Sequence, residues 1–256
     1  MHNWVSGPLK PALSSHEVHI WRLKLPISEP NKIQFKKKLN LQECLRWDSF
    51  HFQKDKDQFL AGRGVLREII SRYLEISANE ICFDYTEFGK PYLKEVPLKF
   101  NLAHSENYVL YAFSINNLLG IDVERIKENI DYISIAKETF TKNEYEEFLD
   151  FPESEKLLAF YRCWTRKEAT IKMIGKGLSF PLKRLQVGFS VEDEIQLLDI
   201  ELLKPFLLPL IKNKEASMKM LEERPQWSLK EIKLEADYAA AIVAEKKYLK
   251  ISFWDW

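Results

Sequence analysis

The sequence predicts an α+β protein made of two similar halves, and three observations carry that prediction. Residues 39–74 hold a helical periodicity, Phe88-Gly89-Lys90-Pro91 reads as a turn, and two strand-like segments follow it. The same order recurs downstream: a helical run over 155–174, a second glycine-lysine turn at Gly175-Lys176-Gly177, and Tyr238-Ala-Ala-Ala-Ile-Val-Ala, which parallels Tyr108-Val-Leu-Tyr-Ala-Phe. Asn116-Asn117 forms a turn between the two stretches, so the halves are expected at 17–116 and 117–250. Their interface is the natural place for a ligand.

Each element has its own local reason. Residues 1–16, with Pro8, Pro11 and little periodicity, read as a loose leader or an edge segment. Val18-His-Ile-Trp-Arg-Leu alternates as a strand does. Phe59, Leu60, Arg63, Val65, Leu66, Ile69, Ile70 and Tyr73 recur at spacings of three and four, which makes 39–74 helical. Gly89 relaxes φ and Pro91 forces Lys90 to be extended, giving a turn. Segments 99–105 and 108–114 are expected to pair as strands, and 118–126 to form another. The stretch 202–226, with Pro205, Pro209 and Pro225, reads as an insertion or long connection.

Composition excludes several classes. The 256 residues carry 38 Lys+Arg against 38 Asp+Glu, so bulk charge advertises neither a nucleic acid nor a membrane surface. Only 8 glycines are present and no glycine-rich nucleotide cradle is among them. Cys44, Cys82 and Cys163 are too few and too scattered for a disulfide framework or a zinc site, which fits a reducing cytoplasm. The apolar run 202–211 is broken by Lys204, Pro205 and Pro209 and is about half the length a bilayer requires.

Three constellations could carry chemistry. On the strand Leu119-Gly-Ile-Asp-Val-Glu-Arg, Leu119, Ile121 and Val123 face the core, and Gly120, Asp122 and Glu124 share the other side. The two carboxylates then stand about 7 Å apart along the strand. That spacing suits a bridging Mg²⁺, or else a solvated acidic face. On the 155–174 helix, Leu157, Phe160, Tyr161 and Ile171 fall within roughly 60° of Trp164, with Glu168 at about 40° and Lys172 at about 80°. A carboxylate inside an apolar stripe needs a partner; the plainer alternative is an i,i+4 pair of Glu168 with Lys172. Lys167, on the opposite edge, reads equally as a snorkelling surface lysine. His104 ends an apolar strand beside Ser105, where an imidazole can donate to a phosphate or serve the fold. Arg46, Arg63, Arg67 and Lys90 are each surface charges taken alone, and together suit a phosphorylated, Mg²⁺-bound ligand.

The pattern Gly120-Ile-Asp122-Val-Glu124, followed by Trp164-x-x-Lys167-Glu168-Ala169-x-x-Lys172-x-x-Gly175-x-Gly177-Leu, resembles the signature pair of the 4′-phosphopantetheinyl transferases. The resemblance is to the large, monomeric, internally duplicated kind, in its KEA subgroup, and covers about residues 40 to 245. Gly89-Lys90-Pro91 and Phe100-Asn-Leu-Ala-His104-Ser105 match in the same order. The resemblance implies a cleft between two α+β halves that binds coenzyme A as its Mg²⁺ complex. It implies Asp122, Glu124 and Glu168 as metal ligands, Lys172 and His104 on the phosphates, Lys90 along the nucleotide and Arg63 near the 3′-phosphate, with Arg46 and Ser105 as weaker assignments. The implied reaction moves phosphopantetheine onto a serine of an acyl or peptidyl carrier protein and releases 3′,5′-ADP. Glu168 or a metal-held water would take the serine proton, and Mg²⁺ and Mn²⁺ are equally compatible with oxygen ligands. The rival readings are another Mg²⁺-dependent phosphotransferase or a non-catalytic module binding coenzyme A or a carrier.

Overall fold

A computed structural model of the chain describes residues 2–190, 196–197, 227–245 and 250–256. The expected connection 202–226 lies outside these residues. The first elements are β1 (Val5–Ser6), β2 (Glu17–Lys24), α1 (Glu29–Lys36), α2 (Leu41–Asp48) and α3 (Gln53–Leu74). A short hairpin of β3 (Asp84–Tyr85) and β4 (Pro91–Tyr92) turns at Gly89, whose φ of 78° is a conformation that favours glycine. Strands β5 (Leu98–Ser105), β6 (Tyr108–Ile115) and β7 (Leu119–Arg125) follow. Next come α4 (Tyr132–Thr139), α5 (Lys142–Asp150) and α6 (Glu153–Ile174). The short β8 (Leu185–Gln186) and β9 (Gln196–Leu197) precede β10 (Trp227–Glu231), β11 (Tyr238–Glu245) and β12 (Lys250–Asp255).

Strand alternation sorts the side chains into layers. The main sheets are five-stranded, in the order β1-β12-β2-β6-β5, and three-stranded, in the order β10-β11-β7. Along β6, Val109, Tyr111 and Phe113 face α3, where they join Val65, Leu66, Ile69 and Ile70. Tyr108, Leu110 and Ala112 face the second sheet and meet Ile121, Val123, Ala240 and Ile242. The far side of that sheet, with Ala239, Ala241 and Val243, packs on Phe160, Ala169 and Met173 of α6. The result is four layers, helix on sheet on sheet on helix. The two sheets share a buried seam, and β12, late in the chain, returns to pair with β2 of the first sheet.

Two readings of the sequence change in detail. The single helical pattern of 39–74 is two helices, α2 and α3, separated at 49–52. Asn40 and Glu43 form a reciprocal capping box that starts α2, and the bend brings Glu43 onto α3. The leader is an edge segment: Val5 and Ser6 pair in parallel with Trp254 and Asp255.

The position of α6 depends on Gly120. A Cβ there would overlap the Ala169 carbonyl oxygen and the Met173 amide nitrogen, so the helix lies directly on the β7 backbone. Gly120→Ala is expected to cost about 1–3 kcal/mol of stability through overpacking. Chemical unfolding of the variant against the parent checks this, with unchanged stability as the contrary result.

Candidate active site

β7 and α6 together assemble the acidic group. β7 sends Asp122 and Glu124 to its helix-facing side, and α6 sends Glu168 and Lys172 back towards them. Lys172 Nζ donates to Asp122 Oδ1 at 2.6 Å. Asp122 is only 2% exposed, and its Oδ2, like Oε1 of Glu168, is buried without a hydrogen-bond partner. Burial raises the Asp122 carboxyl above its usual range, with the Lys172 cation opposing. Glu124 is raised by burial and then by the Asp122 charge. Burial pushes Glu168 up to about 7, with Asp122 and Glu124 adding to the rise and Lys172 opposing it. The three carboxylates thus share one field. Among the described residues no three ligand-type side chains already form a closed metal cage. The two orphaned oxygens nevertheless fit a hard divalent cation, which takes carboxylate oxygens and leaves other positions to water or phosphate.

A second set of groups lines an adjoining cavity of about 330 Å³. Arg46 from α2, Arg63 from α3 and His104 from β5 face it, together with Phe59, Gly89 and Pro91. Arg46 lies over the Phe59 ring at 5.5 Å and Arg63 over Phe83 at 4.9 Å. His104 stands at the mouth, where surrounding protein and then the Lys172 cation hold its imidazole below the ordinary value. The same imidazole feels the Asp122 charge, so it links the cationic cavity to the acidic group.

The chain matches the family model described as "4'-phosphopantetheinyl transferase, N-terminal" over residues 28–116, and the "4'-phosphopantetheinyl transferase superfamily" over 118–243. It belongs to the 4′-phosphopantetheinyl transferase superfamily. It is 35% identical over 200 residues to the 4′-phosphopantetheinyl transferase HetI of Nostoc sp., covering 77% of this chain and 84% of that protein. With the Sfp transferase of Bacillus subtilis it shares 31% identity over 173 residues, 67% of this chain and 76% of the relative. An L-aminoadipate-semialdehyde dehydrogenase-phosphopantetheinyl transferase of Mus musculus is 29% identical over 80% of this chain and 66% of its own length.

Within this transferase several side chains stand where sequence reading did not put them. The Lys90 ammonium donates to the carbonyls of Lys172 at 2.6 Å, Leu119 at 3.3 Å and Met173 at 3.5 Å, clamping the C-terminal end of α6 to β7. Burial, then Lys172, lowers its pKa to about 8. Ser105 Oγ donates to Glu124 Oε2 and accepts from the Arg125 amide, both at 3.0 Å, so it braces an acidic residue. Lys167 is no surface lysine. It is fully buried, pairs with Glu144 at 2.7 Å and donates to the carbonyls of Leu182 and Leu185. The buried face of α6 is accordingly centred near Lys167, with Trp164 at its border. Arg63 and Arg67 are also not surface charges, at 8% and 0% exposure. Sequence reading missed Asn101, whose Oδ1 accepts from the Ile121 amide at 2.9 Å. That bond satisfies an N–H on the free edge of β7, one residue from Asp122. The missed Glu43 carried a signal, its place three residues after Asn40 in a capping box.

Two outcomes are expected. Lys167→Ala should cost about 3–5 kcal/mol, because it strands the Glu144 charge in the core; a thermal melt within a degree of the parent would refute this. Glu168, raised in the folded state, holds its proton more tightly than in the unfolded chain. Its contribution to stability is therefore present below the ordinary carboxylate range and lost as pH rises through about 7. In metal-free protein the stability of Glu168→Gln relative to the parent should grow between pH 5 and pH 8, as followed by thermal unfolding.

Proposed function

We propose that the cleft binds coenzyme A with Mg²⁺ and transfers 4′-phosphopantetheine to a serine of an acyl or peptidyl carrier protein, releasing 3′,5′-ADP. One observation supports this best. Buried carboxylate oxygens without partners, beside the Asp122–Lys172 pair, adjoin a cavity lined by Arg46, Arg63 and His104. A ligand that meets both needs carries a metal-compatible pyrophosphate at one end and a further phosphate at the other.

Asp122, Glu124 and Glu168 are the residues that would hold Mg²⁺, which would supply charge neutralisation on the pyrophosphate. Lys172, 32% exposed, reaches from Asp122 towards solvent and stabilises the charge that develops on the phosphoryl oxygens. His104 donates to a phosphate oxygen from the cavity mouth, and Arg63 and Arg46 hold the 3′-phosphate. The Gly89–Pro91 turn borders the nucleotide, while Lys90 keeps α6 in register with β7. The carrier serine oxygen forms a bond to the β-phosphorus as the bond to the α-phosphate oxygen breaks. The serine proton passes to the Glu168 carboxylate, directly or through one water.

A single chain supplies both walls of the cleft, 17–116 one and 117–250 the other, which supports a monomer. Free Cys44, Cys82 and Cys163 fit a reducing cytoplasm. No helix among the described residues is long and apolar enough to cross a membrane.

Incubation with a purified apo-carrier, coenzyme A and Mg²⁺ should add the mass of one phosphopantetheine to the carrier, and chelation should stop it. Asp122→Ala, Glu168→Ala and Lys172→Ala should each slow transfer about 100-fold or more while the protein remains folded. Near-parent activity in any of the three would remove that residue from the mechanism.

A further inference from the structure

Glu43 sits where no reaction step requires it, and it is one of the most deeply buried charges in the protein. The carboxylate is 2% exposed and lies between two arginines one helical turn apart on α3. Its Oε2 accepts from the Asn40 amide at 3.0 Å and from Arg67 Nε at 2.9 Å. Arg67 is further fixed by the carbonyls of Ala78 at 2.8 Å and Ile81 at 2.9 Å. The other oxygen, Oε1, makes only an ion pair with Arg63 Nε at 3.4 Å. Arg63 Nη1 is buried and has no hydrogen-bond partner within the protein, and its guanidinium lines the cavity shared with Arg46 and His104.

Two buried guanidinium groups against one carboxylate leave one positive charge uncompensated, and such a charge calls for an anion. Arginine offers a planar fork, so the edge that meets the ligand depends on what holds Nε. With Nε beside Glu43 and the plane over Phe83, the terminal amino groups of Arg63 are the donors left for the cavity its guanidinium lines. The reacting pyrophosphate belongs with Asp122, Glu168 and Lys172 on the other wall, which leaves the phosphate on the ribose 3′ oxygen for Arg63.

We infer that Glu43 is a positioning residue for substrate selection: by holding Arg63 it sets the preference of the enzyme for coenzyme A over the same molecule lacking the 3′-phosphate. The inference rests on the coenzyme A reading given above. It gives Glu43 no contact with the substrate and no part in phosphoryl transfer.

The test compares coenzyme A with 3′-dephospho-coenzyme A as donors to one apo-carrier. The parent enzyme should prefer coenzyme A, and Arg63→Ala should remove most of that preference. Glu43→Gln should raise the KM for coenzyme A roughly tenfold, the size of one charged hydrogen bond, with kcat within about twofold and the dephospho donor unaffected. Combining Glu43→Gln with Arg63→Ala should reduce the preference no further than Arg63→Ala alone. Equal losses for both donors, or an unchanged KM for coenzyme A, would overturn the inference and leave the function standing. Glu43→Asp keeps a charge for Arg67 while withdrawing from Arg63, and should show the same selective rise in KM if Glu43→Gln does not fold. Failure of both variants to fold would show that the carboxylate serves the fold alone. A parent enzyme that transfers from neither donor would overturn the functional reading and this inference together.

Discussion

The contact between α6 and the backbone of β7 at Gly120 is the constraint on which the rest of the site depends. A strand that packs a helix normally keeps it a side chain away, but Gly120 lets the Ala169 carbonyl and the Met173 amide sit on the strand itself. Because Gly120, Asp122 and Glu124 share one side of β7, the same approach that buries Gly120 delivers Glu168 and Lys172 to the two carboxylates. Lys90 then pins the helix end to the strand through three carbonyls. In a partly desolvated setting such short separations make each charge count for more than it would in water.

Buried charge falls into two kinds, and the difference marks the site. Lys167 and Glu144 compensate one another, with backbone carbonyls and amides taking their remaining hydrogen bonds, and that pair serves the fold. Around the cleft the sums do not close. Among the described residues Asp122, Glu124 and Glu168 share the one close ion pair to Lys172, while Arg63 and Arg67 share the Glu43 carboxylate. An excess of negative charge on one wall and of positive charge on the other suits a ligand that brings phosphates together with a cation.

Second residues brace the working ones. Ser105 holds Glu124, Asn101 satisfies the β7 edge beside Asp122, and Glu43 holds Arg63. All three precede β7 in the chain, and two of them act on β7 from β5. The seam between the two sheets thus holds a network that fixes the acidic strand, as well as an apolar layer.

The alternation of β7, the helix over α6, the glycine turns and the repeated order of elements were legible in the sequence alone, since each depends on residues within one turn or one strand repeat of each other. Periodicity also put Asp122 with Glu124 on one side of a strand and Glu168 near Lys172 on one helix; that the two sets belong together came from the family resemblance. Partnership was not legible. The apolar side chains around Trp164 put Lys167 at the edge of the α6 stripe, whereas it sits in the buried face once Glu144 arrives from another helix. Arg67 became a core residue through Glu43, and Lys90 became a helix clamp through carbonyls of α6 and β7. A charged side chain is surface or interior according to what neutralises it, and that neighbour comes from elsewhere in the chain, so only the tertiary structure could decide it.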